Sequence, residues 1–243
     1  MPASFPLDEW RAFLRAARAF FPSVTSDEAL FDPQKKLQHF DWSWQAVRYR
    51  YRTCAECNDE FKALLNNASE MWRSGWGDDE ELIYKLERCI YQFFMSALSV
   101  FESFGFCLYF LGGALRPGDF PFIATPKKIT LDATHKALAA AFPDAAITAA
   151  LAALVQKPEF TAIKEIRDLL GHRLSGRRGV RVWSDGTNHS REETWDVPGS
   201  SEKLKFDENM LQREIDEMTN MLATLTPAAR EFAGSQDPAK AAL

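Results

Sequence analysis

A stretch of 23 residues, 93–115, is nearly all apolar, and it constrains the fold more than any other part of the sequence. On length alone this stretch could cross a bilayer as one helix. It carries a polar stripe at helical spacing (Ser96, Ser99, Glu102 and Ser103), however, and its flanks lack a clear pattern of Lys and Arg anchors. We therefore expect the central helix of a helical bundle rather than a transmembrane span, and no membrane partner.

The composition is that of a globular protein with a packed core. Of the 243 residues, 46% are hydrophobic and 13% are aromatic, which excludes disorder for most of the chain. The formal net charge of -5 excludes a globally basic nucleic-acid-binding domain and leaves only a local basic patch for that role. The first 25 residues contain Asp8, Glu9 and several Arg, without the apolar core of a secretory signal, so we expect a cytoplasmic protein.

Apolar residues recur at helical spacing along most of the chain, and proline and glycine residues separate the periodic segments. Residues 180–197 instead flank an Asp-Gly turn and predict a short β-hairpin. We therefore expect an all-α protein, an up-and-down helical bundle with a small β-hairpin insertion. The predicted helices cover residues 7–20, 41–72, 78–112, 131–142, 145–154, 158–174 and 207–225, with residues 227–232 adding a turn or two.

The pattern predicts one helical domain over residues 1–243, with its core at about 40–225 and a frayed tail at 234–243. Gly176 and Gly179 are expected to end the helix that begins at Pro158. The sequence has no glycine-rich nucleotide-binding motif, no H-E-x-x-H and no G-x-S-x-G. Nucleotide-binding folds and the common hydrolases therefore lack support.

Four cysteines are too few for a disulfide scaffold in a chain of this size. Cys54 and Cys57 form one C-x-x-C, but it lies inside a helical pattern with no second pair and no clustered His to complete a zinc site. We interpret the thiols as buried and reduced rather than as metal-binding or redox groups. We expect neither a metal nor a cofactor.

One segment, residues 165–173, combines residue types that core packing alone does not demand. Asp168 and His172 are four residues apart and share a helix face, so the carboxylate can hold the imidazole in one orientation. Arg167 lies five residues before His172, and its long side chain can reach toward a phosphate shared with that histidine. The alternative is a helix without a catalytic role, in which Asp168 pairs with His172 or Arg173 only to balance charge.

This segment resembles the signature of the HEPN family (higher eukaryotes and prokaryotes nucleotide-binding domain). The family pattern is an Arg, an adjacent polar residue and a His four to six positions after the Arg, late in a helix of an α-helical bundle. Arg167, Asp168 and His172 match it, with Asp168 where Asn is more usual. The long helices before the motif also resemble the family's up-and-down core.

The resemblance implies a metal-independent endoribonuclease, commonly a toxin or an antiviral defence effector, that acts as a homodimer on RNA. It also implies a partner such as an antitoxin or another regulatory protein. RNA cleavage without metal needs a base, an acid and a fixed cation for the phosphorane charge. Two copies of His172 across a two-fold axis would supply base and acid, the paired Arg167 side chains would clamp the phosphate, and Asp168 would orient the histidine.

Basic charge is concentrated beside the motif. Residues 167–191 contain six Arg and two Asp, a local excess of positive charge in an acidic protein. We predict that Arg173, Arg177 and Arg178 contact RNA, although a solvated loop balanced by nearby acidic residues fits the same pattern. We also predict that Glu102 lies near the motif helix and positions Arg167 or an incoming ribose.

A second cationic segment carries Arg48, Arg50 and Arg52, interleaved with Tyr49 and Tyr51. It is either an RNA surface with aromatic stacking or an exposed helix face.

Two other functions also remain open for the whole chain. One is a noncatalytic binding or regulatory module of the same fold, and the other is a helical protein with an apolar pocket for a small ligand.

Overall fold

The structure, a computed structural model, describes residues 4–21, 33–73, 80–121, 128–172, 175–184, 189–201 and 203–236. These residues form a mostly α-helical protein with one small sheet, as the sequence predicts, whereas the up-and-down order stays a prediction. The elements are α1 (Leu7–Arg18), α2 (Pro33–Arg73), α3 (Glu80–Leu115), α4 (Leu131–Ala141), α5 (Ala146–Val155), α6 (Pro158–His172), β1 (Arg177–Ser184), β2 (His189–Asp196), β3 (Lys203–Lys205) and α7 (Met210–Ser235).

Helix α7 extends beyond its main periodic segment, which ends near residue 225. It continues through Pro227 to Ser235, so residues 227–232 add helical turns, as predicted. A proline inside a helix costs about 3 kcal/mol because it removes a hydrogen bond and crowds the preceding turn. Leu225, Ala229 and Phe232 are buried on both sides of the proline, and their burial offsets that cost.

The predicted hairpin is part of a three-stranded antiparallel sheet in the order β1-β2-β3. Strand β1 begins at Arg177, so Gly179 lies inside a strand and does not end the preceding helix, which stops at His172. The hairpin predicted over residues 180–197 therefore begins three residues earlier, at Arg177, and β3 was not predicted. Three residues are too few to show an alternating pattern, and β3 forms because it pairs with β2.

The described residues divide into two compact units. The first comprises Tyr51–Leu98 and Pro158–Met218, and the second comprises Ala3–Arg50, Ser99–Lys157 and Thr219–Leu243. The unit boundaries fall inside α2, α3 and α7. The expectation of one domain over residues 1–243 stays a prediction.

Each unit has its own aromatic core. Phe61, Phe94 and Trp195 are buried in the first unit, and Trp10 and Phe104 are buried in the second. Helix α3 is long and apolar enough to cross a membrane, yet 72% of its most apolar window is buried inside the protein. Such burial is typical of a core helix. The absence of a membrane partner stays a prediction.

All four cysteines are buried, and none forms a disulfide. Burial raises the pKa of Cys57 to about 11 and that of Cys89 to about 12, and it raises the pKa of Cys54 and Cys107 further. Thiols with such values stay protonated at neutral pH and are weak nucleophiles. The cysteines therefore act as small core side chains.

Candidate functional site

Helix α6 carries the Arg167, Asp168 and His172 motif, and it is anchored in the first unit. Ile163 and Ile166 are buried in the core. Glu165 accepts two hydrogen bonds from Ser201, one from its backbone N–H and one from its hydroxyl, each at 2.9 Å. Packing and these hydrogen bonds together hold the motif helix against the segment between β2 and β3.

Arg167 and Asp168 form a close pair on this helix. Arg167 Nη1 donates to Asp168 Oδ1 at 2.6 Å, and the two side chains are 29% and 43% exposed. Arg167 Nε is buried and has no hydrogen-bond partner among the residues that the structure describes. The buried Nε is closed to a ligand, but a guanidinium has five N–H donors and only one bonds to Asp168. The partial exposure of the side chain allows an incoming anion to reach its other end.

The third member of the motif, His172, is the last residue of α6, and its side chain lies outside the described part of the chain. The expected contact between Asp168 and His172 therefore stays a prediction. The structure shows that Asp168 has a partner in Arg167, its neighbour in sequence. Asp168 thus contributes negative charge directly beside the arginine that is expected to bind phosphate.

The three arginines predicted to contact RNA have different surroundings. Arg173 lies outside the described residues. Arg177 is exposed, and its Nε lies 4.0 Å from Asp196 Oδ1. Arg178 is largely buried, its Nε donates to Glu193 Oε2 at 2.7 Å, and its guanidinium lies 5.2 Å from the centre of the Phe206 ring. Arg178 therefore links β1 to β2 within the sheet. Of the two described arginines, the exposed Arg177 is the more accessible to a ligand.

Glu102 lies in the second unit. Its Oε2 accepts from the backbone N–H of Leu131 at 2.9 Å, at the start of α4, and it lines a cavity of about 320 Å³ with Arg50 and Ser103. Burial lowers the pKa of Arg50, and the charge of Glu102 acts in the opposite direction. Glu102 thus has partners within its own unit, while the role predicted for it at the motif stays a prediction.

We expect Glu102→Ala to lower the free energy of unfolding by about 1–3 kcal/mol, because it leaves the N–H of Leu131 without its acceptor and removes the negative charge that acts on Arg50. Urea denaturation checks this. Glu56→Ala is the matched control, since Glu56 pairs with Arg52 on an exposed face of α2 and its loss should change stability by about 0.5 kcal/mol or less. Equal midpoints for the two variants would contradict the structural role of Glu102.

The second cationic segment is not an interleaved stacking surface. Tyr51 is buried, because α2 turns about 100° per residue and places this ring on the side of Val47 and Cys54. Arg50 turns inward and donates to the carbonyl of Ser99 at 2.9 Å and to the hydroxyl of Ser103. Arg48 and Arg52 stay exposed, as the helix-face interpretation predicts.

A group of side chains that sequence analysis missed lies beside α6. Tyr84, Glu87 and Tyr91 of α3 line a cavity of about 260 Å³ together with Leu170 of α6. Both tyrosines are exposed. Their seven-residue spacing places them two turns apart on one helix face, and this spacing is the signal that could have identified them.

Within the described ranges, no group of three His, Cys, Asp or Glu side chains is arranged to hold a metal ion. The expectation of a reaction without metal or cofactor stays a prediction and needs an experiment. Comparison with known proteins gave no match of the chain to a family model, to a curated protein or to a solved structure.

Proposed function

We propose that the protein is a metal-independent endoribonuclease, similar to the HEPN family in its motif and in an up-and-down helical core. The observation that carries the proposal is the Arg167 and Asp168 pair late in α6, with His172 at the end of that helix. A partly exposed guanidinium held by one carboxylate is suited to bind a phosphate in place of that carboxylate.

In the proposed reaction the 2′-OH of one ribose attacks the adjacent phosphate, and the 5′-oxygen of the next nucleotide leaves. His172 of one subunit removes the 2′-OH proton, and His172 of the partner subunit donates a proton to the leaving oxygen. Arg167 stabilises the negative charge of the phosphorane. The products are a 2′,3′-cyclic phosphate and a 5′-hydroxyl, so each proton and bond is accounted for.

The requirement for two histidines makes the site a composite of two copies of the chain, because the motif contains one histidine per chain. The resemblance further suggests a cytoplasmic toxin or antiviral defence effector that is restrained by an antitoxin or a regulatory protein. Arg173 and Arg177 extend the phosphate-binding surface beyond the motif. The salt dependence of RNA binding would report how many such contacts form.

A noncatalytic binding or regulatory module of the same fold is the second candidate. Two observations favour it. Arg167 is already paired with Asp168, and Arg178 of the basic run is used inside the sheet. Such pairs reduce the positive charge that is available to bind an RNA strand. They do not prevent the proposed dimer from forming or from binding a partner protein.

The test is cleavage of a labelled single-stranded RNA pool in EDTA by the full chain, compared with an Arg167→Ala, His172→Ala double variant. An Arg52→Ala, His135→Ala double variant is the matched control, since it removes the same residue types outside the motif. We expect the wild type and the control to cut RNA and leave 2′,3′-cyclic phosphate ends, and the motif variant to be inactive. Equal cleavage by the motif variant would contradict the proposal, and an intact wild-type dimer without cleavage would favour the noncatalytic module.

A further inference from the structure

The cavity beside α6 has the features of a binding site for one planar ring. Its volume is about 260 Å³, and its lining comes from two sources within the first unit. Helix α3 contributes Tyr84, Glu87, Arg88 and Tyr91, and the guanidinium of Arg88 is paired with Glu60. The facing wall comes from Leu170 of α6 and from Ser175 and Gly176 after it. Leu170 lies three residues after Arg167, so the cavity begins about one helical turn along α6 from the phosphate-binding arginine.

Two exposed tyrosine rings line the cavity. Tyr84 and Tyr91 are 59% and 43% exposed, although both are large aromatic side chains. Aromatic rings held at the surface next to a cationic side chain, here Arg88, are the platforms on which proteins stack the bases of single-stranded nucleic acids. The seven-residue spacing leaves room between the rings for the side chain of Glu87, which lies on the same helix face.

Glu87 supplies a fixed acceptor at this position. Its Oε1 and Oε2 lie 3.1 and 3.2 Å from Nε1 of Trp195, a buried indole that donates one N–H. A carboxylate has about four acceptor positions, so one indole donor leaves most of its capacity unused. A ligand with N–H donors can therefore bind to the free acceptor positions of this carboxylate.

The wall behind the carboxylate is closely packed. A β-carbon at Gly176 would overlap the indole ring of Trp195, so the backbone lies directly against that ring. Trp195 in turn stacks on Phe94, with ring centres 5.9 Å apart and planes 2° apart. A preformed cavity of this kind binds a ligand with little ordering cost.

We propose that this cavity is a nucleobase subsite of the RNA strand, and that it takes a base with N–H donors on its Watson–Crick edge, guanine first. Guanine presents two parallel donors, N1–H and the N2 amino group, to a carboxylate. Uracil presents one N–H between two carbonyl oxygens, which the negative charge of Glu87 repels. The inference rests on the proposed ribonuclease function, because it assigns the base that lies next to the phosphate at Arg167.

Binding of an uncleavable RNA tests the stacking step separately from catalysis. The probe is a labelled hexamer with 2′-O-methyl riboses and one guanosine, titrated with the full chain. We expect Tyr84→Ala and Tyr91→Ala each to weaken binding by about 5- to 150-fold, the range found for loss of one base-stacking ring. Tyr49→Ala is the matched control, since Tyr49 is 74% exposed and belongs to the second unit.

Glu87→Gln tests base choice while keeping the indole satisfied. The amide oxygen of glutamine can still accept from Trp195, but the second acceptor becomes a donor. We expect the wild type to bind the guanosine hexamer more tightly than its uridine and inosine counterparts, and Glu87→Gln to lose that preference. Thermal unfolding confirms that each variant is folded before binding is compared.

The outcomes separate this inference from the proposed function. If the wild type cleaves RNA but neither tyrosine variant weakens binding, the subsite is overturned and the ribonuclease stands. If the wild type binds the hexamer through these residues but cleaves no RNA, the subsite is supported and the ribonuclease fails. If Tyr84→Ala and Tyr91→Ala change the oligomeric state in sedimentation and leave binding unchanged, the surface is an interface between copies of the chain, which also overturns the subsite.

Discussion

Replacing Arg167 with alanine is expected to lower the rate of RNA cleavage by about 100- to 1,000-fold, the loss that follows removal of one group that stabilises transition-state charge. The reason is that the phosphorane carries more negative charge than the ground-state phosphate, and the guanidinium is the motif's fixed cation. Arg167→Lys should recover little of this activity, because a lysine keeps the charge but loses the planar fork that contacts two phosphate oxygens.

The same substitution should leave stability almost unchanged. The pair with Asp168 is partly exposed, and such ion pairs contribute about 0–1 kcal/mol. Cleavage is measured at saturating RNA and again at low RNA, and unfolding is followed in urea. A variant that loses binding but keeps the rate at saturation would show that Arg167 holds the substrate without acting in the transition state. Loss of activity in parallel with loss of folded protein would remove Arg167 from the proposed reaction.

Replacing Trp195 with alanine is expected to lower the free energy of unfolding by about 3–5 kcal/mol, the largest stability effect that we predict. The side chain is 1% exposed, stacks on Phe94 and underlies the backbone of Gly176. Its removal leaves a cavity under the sheet and takes the only described N–H donor from Glu87. Trp42→Ala is the control, since that ring is exposed and its loss should cost about 1 kcal/mol or less.

A Trp195→Phe variant separates the contribution of packing from that of the hydrogen bond to Glu87. The comparison is between the stabilities of the variant and the wild type at two pH values. Burial raises the pKa of Glu87, and the hydrogen bond from Trp195 acts against that rise. A carboxyl whose pKa is raised by folding favours the folded state below its unfolded pKa, about 4.3, and loses that contribution as pH rises through the folded pKa. Phenylalanine keeps much of the packing but removes the donor, so the pKa of Glu87 should rise further.

The stability difference between wild type and Trp195→Phe should therefore be larger at about pH 7 than at about pH 4. Urea denaturation at the two values measures it. A difference that does not change with pH would mean that the hydrogen bond to Glu87 contributes nothing to the folded state.

Sequence patterns predicted the helices well where one face is strongly apolar. Trp10, Phe13 and Ala17 of α1 are buried as their spacing predicts. The turns predicted over residues 227–232 are present, and buried residues on both sides of Pro227 keep α7 continuous there. The pattern failed for β3, whose three residues form a strand only because β2 lies beside them.

The site was predicted less completely, because sequence gives residue types but not pairings. Nothing in the run of arginines distinguishes Arg178, which is bound by Glu193, from Arg177, which is exposed. The pairing depends on the register of β1 with β2, in which Val180 lies opposite Glu193 and Arg178 opposite Trp195. Glu102 shows the same limit, since its partners Arg50 and Leu131 are distant in sequence.

The division of α2, α3 and α7 between the two units has a practical consequence for mapping function. Neither unit is a continuous piece of the chain, so no single cut between residues yields one of them whole. Any fragment that contains the motif helix but stops within α3 or α7 exposes apolar surface that the intact chain buries. Truncation would therefore report loss of folding rather than the location of an activity, and point substitutions in the intact 243-residue chain are the appropriate tool.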